Sequence, residues 1–404
     1  MSFCGRLDGT TPLDIKLSDR VQRVKPSPTL AVTTRANALR AAGEDIIGLG
    51  AGEPDFDTPD HIKQAAIEAI KTGFTKYTAV DGTPALKQAI IDKFNRDNQL
   101  SYTPSQVLVS CGGKQSFYNL CQALLNAGDE VIIPAPYWVS YPDMVLLADG
   151  LPVIIEAGIE AQFKFTPAQL EAAITPRTRL VVINSPSNPS GMVYSRAELE
   201  ALGEVLRRHP QVLIASDDMY EHILWADEPF CNIVNACPDL YERSIVLNGV
   251  SKAYSMTGWR IGYAAGPESL IKAMKKIQSQ STSNPTSISQ VAAQAALQGD
   301  QGCIQEMLAA FKTRYDRVLN GLNAIDGVTC LPSQGAFYAF PDMRGLIERL
   351  EGVADDVQLA EYLIEKAGVA LVPGSAFGSP GYMRLSFATS MENLDEALRR
   401  IGAL

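Results

Sequence analysis

Short apolar runs separated by amphipathic stretches organise the middle of the chain. From about residue 105, Val107-Leu108-Val109, Glu130-Val131-Ile132-Ile133, Leu180-Val181-Val182-Ile183, Val212-Leu213-Ile214-Ala215 and Ser244-Ile245-Val246-Leu247 recur with turn residues between them. Runs this short, continuous rather than alternating, predict strands buried on both faces, as in a parallel sheet. Between the first two, Phe117, Leu120, Cys121, Leu124 and Leu125 fall at helical spacing, and Gly128-Asp129 ends the segment. Strand, helix and strand, repeated, predict an α/β domain with a mainly parallel sheet, whose ligands gather beyond the carboxyl ends of the strands.

After about residue 290 the pattern changes to long Ala/Leu/Arg-rich helices broken by Gly335-Ala336-Phe337-Tyr338-Ala339-Phe340 and Tyr382-Met383-Arg384-Leu385-Ser386-Phe387. This predicts a smaller α+β domain, with the N-terminal stretch through Asp45 packed on it. The length of 404 residues exceeds what one core usually reaches. The expected division is a large domain over 50–290, a small domain from 15–49 with 291–404, and an N-terminal extension over 1–14.

Composition narrows the function. Apolar residues make up 46% and charged residues 20%, with mean hydropathy near zero, as in an ordinary soluble globular chain. A net charge of -10 and a pI near 5.0 disfavour nucleic acid and anionic membranes as partners. With no apolar leader and no run long enough to span a bilayer, the expected location is the cytosol. The seven cysteines lie far apart without a C-x-x-C pair, and His61, His209 and His222 form no H-E-x-x-H arrangement. No disulfide framework or metal site is expected.

Four segments carry candidate chemistry, each at the end of a predicted strand. Ser251-Lys252-Ala253-Tyr254-Ser255-Met256-Thr257-Gly258-Trp259-Arg260 is crowded with small, hydroxyl and aromatic residues. A lysine there forms an imine with a carbonyl cofactor if burial or nearby cations keep it from being held as ammonium, and Arg260 offers a fork suited to phosphate. Asp217, with Tyr220 three residues on, would face the crevice. A carboxylate there keeps a pyridine nitrogen protonated and a phenol bonds a ring oxygen; the alternative is a helix cap at Asp217 or Asp218. Asn188, in Asn184-Ser185-Pro186-Ser187-Asn188-Pro189-Ser190-Gly191, is a fixed amide or part of a plain loop. Ser110-Cys111-Gly112-Gly113-Lys114 joins a strand to a helix start, where free N–H groups favour an anion. Lys114 is disfavoured there by about 0.3–1 kcal/mol, a penalty that a bound anion offsets and a solvated lysine tolerates. Gly48-Leu49-Gly50-Ala51-Gly52 begins like a dinucleotide fingerprint, but Glu53-Pro54 stands where a third glycine and a helix should follow, which excludes a Rossmann dehydrogenase.

In order along the chain, these segments resemble the class I aminotransferases of the fold type I pyridoxal-phosphate (PLP) enzymes, and within them the bacterial aspartate/prephenate aminotransferase subgroup. The likeness spans nearly the whole sequence: Lys25-Pro26-Ser27, Gly50-Ala51-Gly52-Glu53-Pro54-Asp55-Phe56, Lys76-Tyr77, Pro136-Tyr137-Trp138-Val139-Ser140-Tyr141, Asn188-Pro189 and Arg384-Leu385-Ser386. The resemblance implies Lys252 as Schiff-base lysine and proton shuttle, Asp217 on the pyridine nitrogen, Tyr220 and Asn188 on the 3-oxygen, and Trp138 stacked on the ring. It implies Arg260 with the Gly113-Lys114 turn as phosphate holders, Tyr77 reaching the phosphate of a second subunit, and Arg384 with Gly52 gripping the substrate α-carboxylate. Asn188 and Trp138 would also touch substrate. Trp138 and Tyr77 are otherwise core aromatics.

One departure bears on the substrate. Better-known relatives carry an arginine for the distal carboxylate of aspartate four residues before the segment matching Ser283-Asn284-Pro285, where this chain has Ser279. The subgroup's alternative is the Gly-Gly-Lys lysine, here Lys114, with Lys25 aiding a bulkier acid. Asp218 and Met219 replace a Glu and an Ile common after the ring aspartate, with little expected consequence. The resemblance thus implies a homodimeric enzyme running ping-pong transamination between L-aspartate and 2-oxoglutarate, with prephenate or an aromatic acid as alternative substrate. A PLP lyase and a non-catalytic amino-acid sensor are the rival functions, the second lacking its usual DNA-binding module.

Overall fold

The computed structural model describes residues 15–404; the expected N-terminal extension over 1–14 lies outside the described residues. Seven strands form the main sheet: β1 (Val107–Ser110), β2 (Glu130–Ala135), β3 (Leu151–Glu156), β4 (Thr178–Asn184), β5 (Leu213–Asp217), β6 (Ser244–Gly249) and β7 (Gly262–Ala265). Their order is β1-β7-β6-β5-β4-β2-β3, and only β7 runs antiparallel to its neighbours. The five apolar runs are all strands. β3 and β7 add to them: β3 carries the apolar run Val153-Ile154-Ile155 on a half-exposed edge strand that also contains Pro152, the usual place for a strand proline, and β7 is the short Gly-Tyr-Ala-Ala.

Because β1, β2, β4, β5 and β6 point the same way, their carboxyl ends share one edge of the sheet. Register makes that edge level, with Asn184 opposite Asp217 and Asp217 opposite Leu247. The helix Gly113–Leu124 follows β1 and buries Phe117, Leu120 and Cys121 against the sheet, as its periodicity predicts.

The rest of the chain forms a second core. Ile47–Gly48 pairs in parallel with Val369–Ala370, and Met383–Ser386 lies between Val372–Pro373 and Tyr338–Ala339 in an antiparallel trio. Ile47 and Leu49 join Val318, Leu322, Phe337, Leu385, Phe387 and Ile401 in one buried cluster beneath the helices Gly302–Asn323 and Met391–Gly402. Residue 290 lies inside the helix Ser287–Gln298, which buries Ala292, Ala293, Ala296 and Leu297 in the core of the main sheet. Among the described residues no helix is long and apolar enough to cross a membrane.

Candidate active site

The level strand ends open on a cavity of about 280 Å³. β1 delivers Gly113 and Lys114, β2 Trp138, β4 Asn184 and Asn188, β5 Asp217 and Tyr220, and β6 Lys252 with Arg260; Gly52, Tyr338 and Arg384 close it from the second core. Ten of the residues singled out in the sequence therefore line one space. Tyr77 does not: it is 92% exposed and outside this cavity. Lys25 is exposed and outside the lining of the cavity, and Ser279 is exposed at the end of its helix with its hydroxyl on the Lys276 carbonyl.

Burial and charge set the state of each group. Lys252 Nζ donates to the Gly52 carbonyl at 2.6 Å and has no carboxylate partner. Burial, then the Arg384 cation, push its pKa down to about 8, against the weaker pull of Glu53 and Asp217. Asp217 accepts from the Tyr141 hydroxyl at Oδ2 and from the Met219 N–H at Oδ1, 3.3 Å. Burial raises its pKa, while Tyr141, Met219 and Lys252 oppose the rise. Tyr220 and Tyr338 share a hydroxyl–hydroxyl bond of 2.9 Å.

Arg384 is 2% exposed. Its Nη2 donates to the Gly50 carbonyl at 2.7 Å and its Nη1 to Asn188 Oδ1 at 3.0 Å, while Nε has no partner. Rings of Tyr338 and Phe377 lie 4.5 and 5.0 Å from the guanidinium carbon, but no carboxylate neutralises it. Because Asn188 accepts through Oδ1, its amide N–H groups are left to donate. A buried cation held only by neutral acceptors and aromatic faces favours an anionic ligand.

Two more cations stand by. Lys114 Nζ donates to Ser140 Oγ at 2.9 Å and lies 5.1 Å from the Trp138 ring centre; burial of its ammonium and the Arg260 charge pull its pKa down. Arg260 bonds only carbonyls, Thr257 at 2.8 Å and Cys111 at 3.4 Å, from a left-handed backbone at φ 58°, a strained conformation for a non-glycine residue. It faces Gly112, where a Cβ would sit 2.4 Å from Arg260 Nη2; a Cβ on Gly262 would sit 2.3 Å from the Gly113 nitrogen. Only glycines leave this cradle open at the helix N-terminus, and it has the donors a phosphate requires. A phosphorylated pyridine aldehyde fits the whole cavity: a cradle and Arg260 for the phosphate, Asp217 for the ring nitrogen, Trp138 for the ring face and Lys252 for the aldehyde.

Sequence reading missed Tyr141 and Tyr338. Tyr141 lay inside the quoted Pro136–Tyr141 motif without a role, and its partner Asp217 is 76 residues away. Tyr338 sat in the segment 335–340, read only as part of the smaller α+β domain. Ser27, Thr29 and Leu30, which line the rim, adjoin the quoted Lys25-Pro26-Ser27 but gave no chemical signal.

The family described as aminotransferase class I and II matches residues 44–401. The chain is 65% identical over 395 residues to the aspartate/prephenate aminotransferase of Nitrosomonas europaea, covering 96% of this chain and 100% of that one. It is 60% identical to the protein of the same description from Cereibacter sphaeroides, covering 96% and 98%. The crystal structure of aspartate aminotransferase from Rhizobium meliloti superposes with a TM-score of 0.93 at 50% identity, covering 96% and 98%. That of the Thermus thermophilus aspartate aminotransferase with maleate gives 0.91 at 45%, covering 96% and 99%. With the anion-seeking cavity at its strand ends, the chain belongs to the class I and II aminotransferases and is a PLP-dependent enzyme.

Proposed function

We propose that the enzyme exchanges the amino group between L-aspartate and 2-oxoglutarate in a ping-pong cycle, with Lys252 as the covalent anchor and the proton-moving base. PLP, which Lys252 would anchor through the aldehyde before substrate arrives, would supply the sink for the electron pair left at the substrate Cα. The phosphate would rest on the Gly112-Gly113 turn and Arg260, and the ring between Trp138 and Asp217, with Tyr220 and Asn188 at its oxygen. Arg384, with the Gly52 backbone beside it, binds the α-carboxylate and orients the Cα–H bond. Lys252 Nζ, as a free amine, would take up the Cα proton, for which its depressed pKa suits it. Lys114, joined by Lys25 for bulkier acids, takes the distal carboxylate.

The observation that carries this reading is that Arg384 and Lys114 both line the cavity that holds Lys252, neither paired with a carboxylate. Replacing Lys114 by Ala should raise KM for aspartate and 2-oxoglutarate about 10- to 100-fold, the worth of a hydrogen bond to a charged group, while a monocarboxylate donor such as tyrosine changes little. Equal losses for both classes would remove Lys114 from this role. Prephenate is a second acceptor candidate, favoured by the description of the two bacterial relatives and by the open rim at Ser27, Thr29 and Leu30. A steady-state comparison with prephenate in place of 2-oxoglutarate tests it.

We infer a homodimer as well. Ile67, Ile70, Phe74 and Tyr77 form exposed apolar surface on and after the helix Asp60–Lys71, as an interface would, and Tyr77 would there reach the second subunit's phosphate. The two buried cores support a large cofactor-binding domain and a small domain built from both ends of the chain. The acidic balance is consistent with a cytoplasmic enzyme.

A further inference from the structure

Behind the cavity lies a buried set of charges that the reaction does not use. The turn after β5 divides its side chains: Asp217, Met219 and Tyr220 line the cavity, whereas Asp218 and Glu221, both buried, make their bonds away from it. Glu221 Oε1 accepts from Lys93 Nζ and from Asn248 Nδ2, the latter at 2.7 Å; Oε2 accepts from Asn98 Nδ2 at 2.7 Å. Lys93, itself 1% exposed, also donates to Asn98 Oδ1 at 2.7 Å. His222 Nε2 sits 3.4 Å from both Asp97 and Glu221.

One carboxylate thereby joins three elements. Lys93 ends the helix Pro84–Lys93, and Asn98 ends the turn that follows it. Asn248 lies on β6, four residues before Lys252, with its own Oδ1 fixed by the Gly249 N–H at 2.7 Å. Asp218 N–H adds a bond to the Leu247 carbonyl at 2.9 Å, so the turn and the strand are tied at neighbouring positions. An ion pair buried this deeply adds little stability over well-packed apolar side chains, because desolvation offsets its attraction. Apolar packing does not reproduce the direction its hydrogen bonds impose on two backbones.

We propose that Glu221 is a positioning residue for the reaction: through Asn248, with Lys93 and Asn98 holding it in place, it keeps the turn bearing Asp217 and Tyr220 in register with the strand end that delivers Lys252. It touches neither substrate nor cofactor and acts through those residues. The inference rests on the assignment of Asp217 and Lys252 made above.

Two double variants separate geometry from charge and stability. Lys93→Met with Glu221→Gln removes both charges but keeps an acceptor for Asn248. Lys93→Met with Glu221→Leu removes both charges and the acceptor. The Gln pair should keep kcat and the PLP dissociation constant within about threefold of the parent. The Leu pair should lose about 30-fold or more in kcat with KM for aspartate nearly unchanged, in line with a displaced reacting group. Its PLP dissociation constant, read by fluorescence titration of the apo-protein, should rise about tenfold. Asn248→Ala removes the same bond from the strand side with the ion pair intact, and should reproduce the Leu pair even if that pair does not fold. Parental kcat and PLP affinity in the Leu pair or in Asn248→Ala would overturn the proposal. So would Gln and Leu pairs that fall equally, in step with their melting temperatures. Borohydride trapping on the parent guards the underlying assignment: label on a lysine other than Lys252 would sink that reading, whatever the variants do.

Discussion

Replacing Arg384 by Met tests the electrostatic logic of the site most directly. In the unliganded protein the guanidinium is buried without a carboxylate and is held by two neutral acceptors and two aromatic faces. Burying an unpaired charge costs several kcal/mol. The two bonds return about 1.5–3 kcal/mol each and the ring faces about 2 kcal/mol each, so cost and return are of similar size. Methionine fills much of the same slot but strands the Gly50 carbonyl and Asn188 Oδ1, and the unliganded stability should change by no more than about 2 kcal/mol. Binding responds very differently. A carboxylate docked on a buried guanidinium forms charge-assisted bonds that methionine cannot replace, so kcat/KM should fall about 10²- to 10³-fold or more for every amino acid and 2-oxo acid. Thermal unfolding of the PLP-loaded protein with a non-reacting dicarboxylate reports both quantities. At a ligand concentration near 100 Kd the parent should gain about 2.7 kcal/mol, roughly 3 °C for a chain of this length, and Arg384→Met should gain nothing. An equal ligand-induced shift in both proteins would refute the reasoning. So would an unliganded melting temperature lowered by more than about 10 °C, since that would make Arg384 a structural residue.

The rate at which apo-protein captures PLP should rise with pH up to about 8 and then level off, because the neutral Lys252 amine is the reactive form and burial with Arg384 holds its pKa there; a flat rate across that range, followed by absorbance, would contradict it. Tyr141→Phe removes the hydroxyl that donates to Asp217 and should weaken PLP binding about tenfold with little change in KM for aspartate; unaltered affinity by fluorescence titration would exclude Tyr141 from tuning that carboxyl. Asp218 is pushed up to about 7, first by burial and then by the Glu221 charge. The folded chain thus keeps a proton that the unfolded chain releases at the ordinary carboxyl pKa, and Asp218 lowers stability as pH climbs from about 4 to about 7. Asp218→Asn should melt with a shallower decline over that window; an unchanged slope in calorimetry would count against the assigned shift.

What the sequence disclosed followed from locality. A buried parallel strand announces itself as a short apolar run, and the rule that ligands gather at strand ends then pointed to Lys114, Asn188, Asp217 and Lys252 from their places alone. β7 was silent because the four-residue Gly-Tyr-Ala-Ala carries no such run, whereas β3 holds one, Val153-Ile154-Ile155, behind the proline of an edge strand. Tyr141 and Tyr338 owe their places to partners on remote segments, Asp217 at a separation of 76 residues and Tyr220 at 118, which no window along the chain can register. The packing of the helix around residue 290 was hidden for a related reason: Ala292, Ala293 and Ala296 read as the start of a new helical region, and only their burial against the helices Asp60–Lys71 and Pro84–Lys93 groups them with the first core. Tyr77, named by resemblance, is exposed in a single chain, so its role depends on a surface one sequence does not contain.

The unequal burial of the cations bears on selectivity. Arg384 is sealed from water, so a ligand without an α-carboxylate leaves an uncompensated charge in low dielectric, and discrimination against it should be severe. Lys114 keeps more than a third of its surface open and holds a serine hydroxyl, so a ligand with no distal carboxylate leaves it to water at small cost. A charge open to water rewards the right partner through its hydrogen bonds but penalises the wrong one hardly at all. The same cavity can therefore demand an α-amino or 2-oxo acid strictly while only preferring a dicarboxylate. That asymmetry, combined with a rim of Ser27, Thr29 and Leu30 rather than a second buried arginine, leaves room for a bulkier ring-bearing acid beside aspartate.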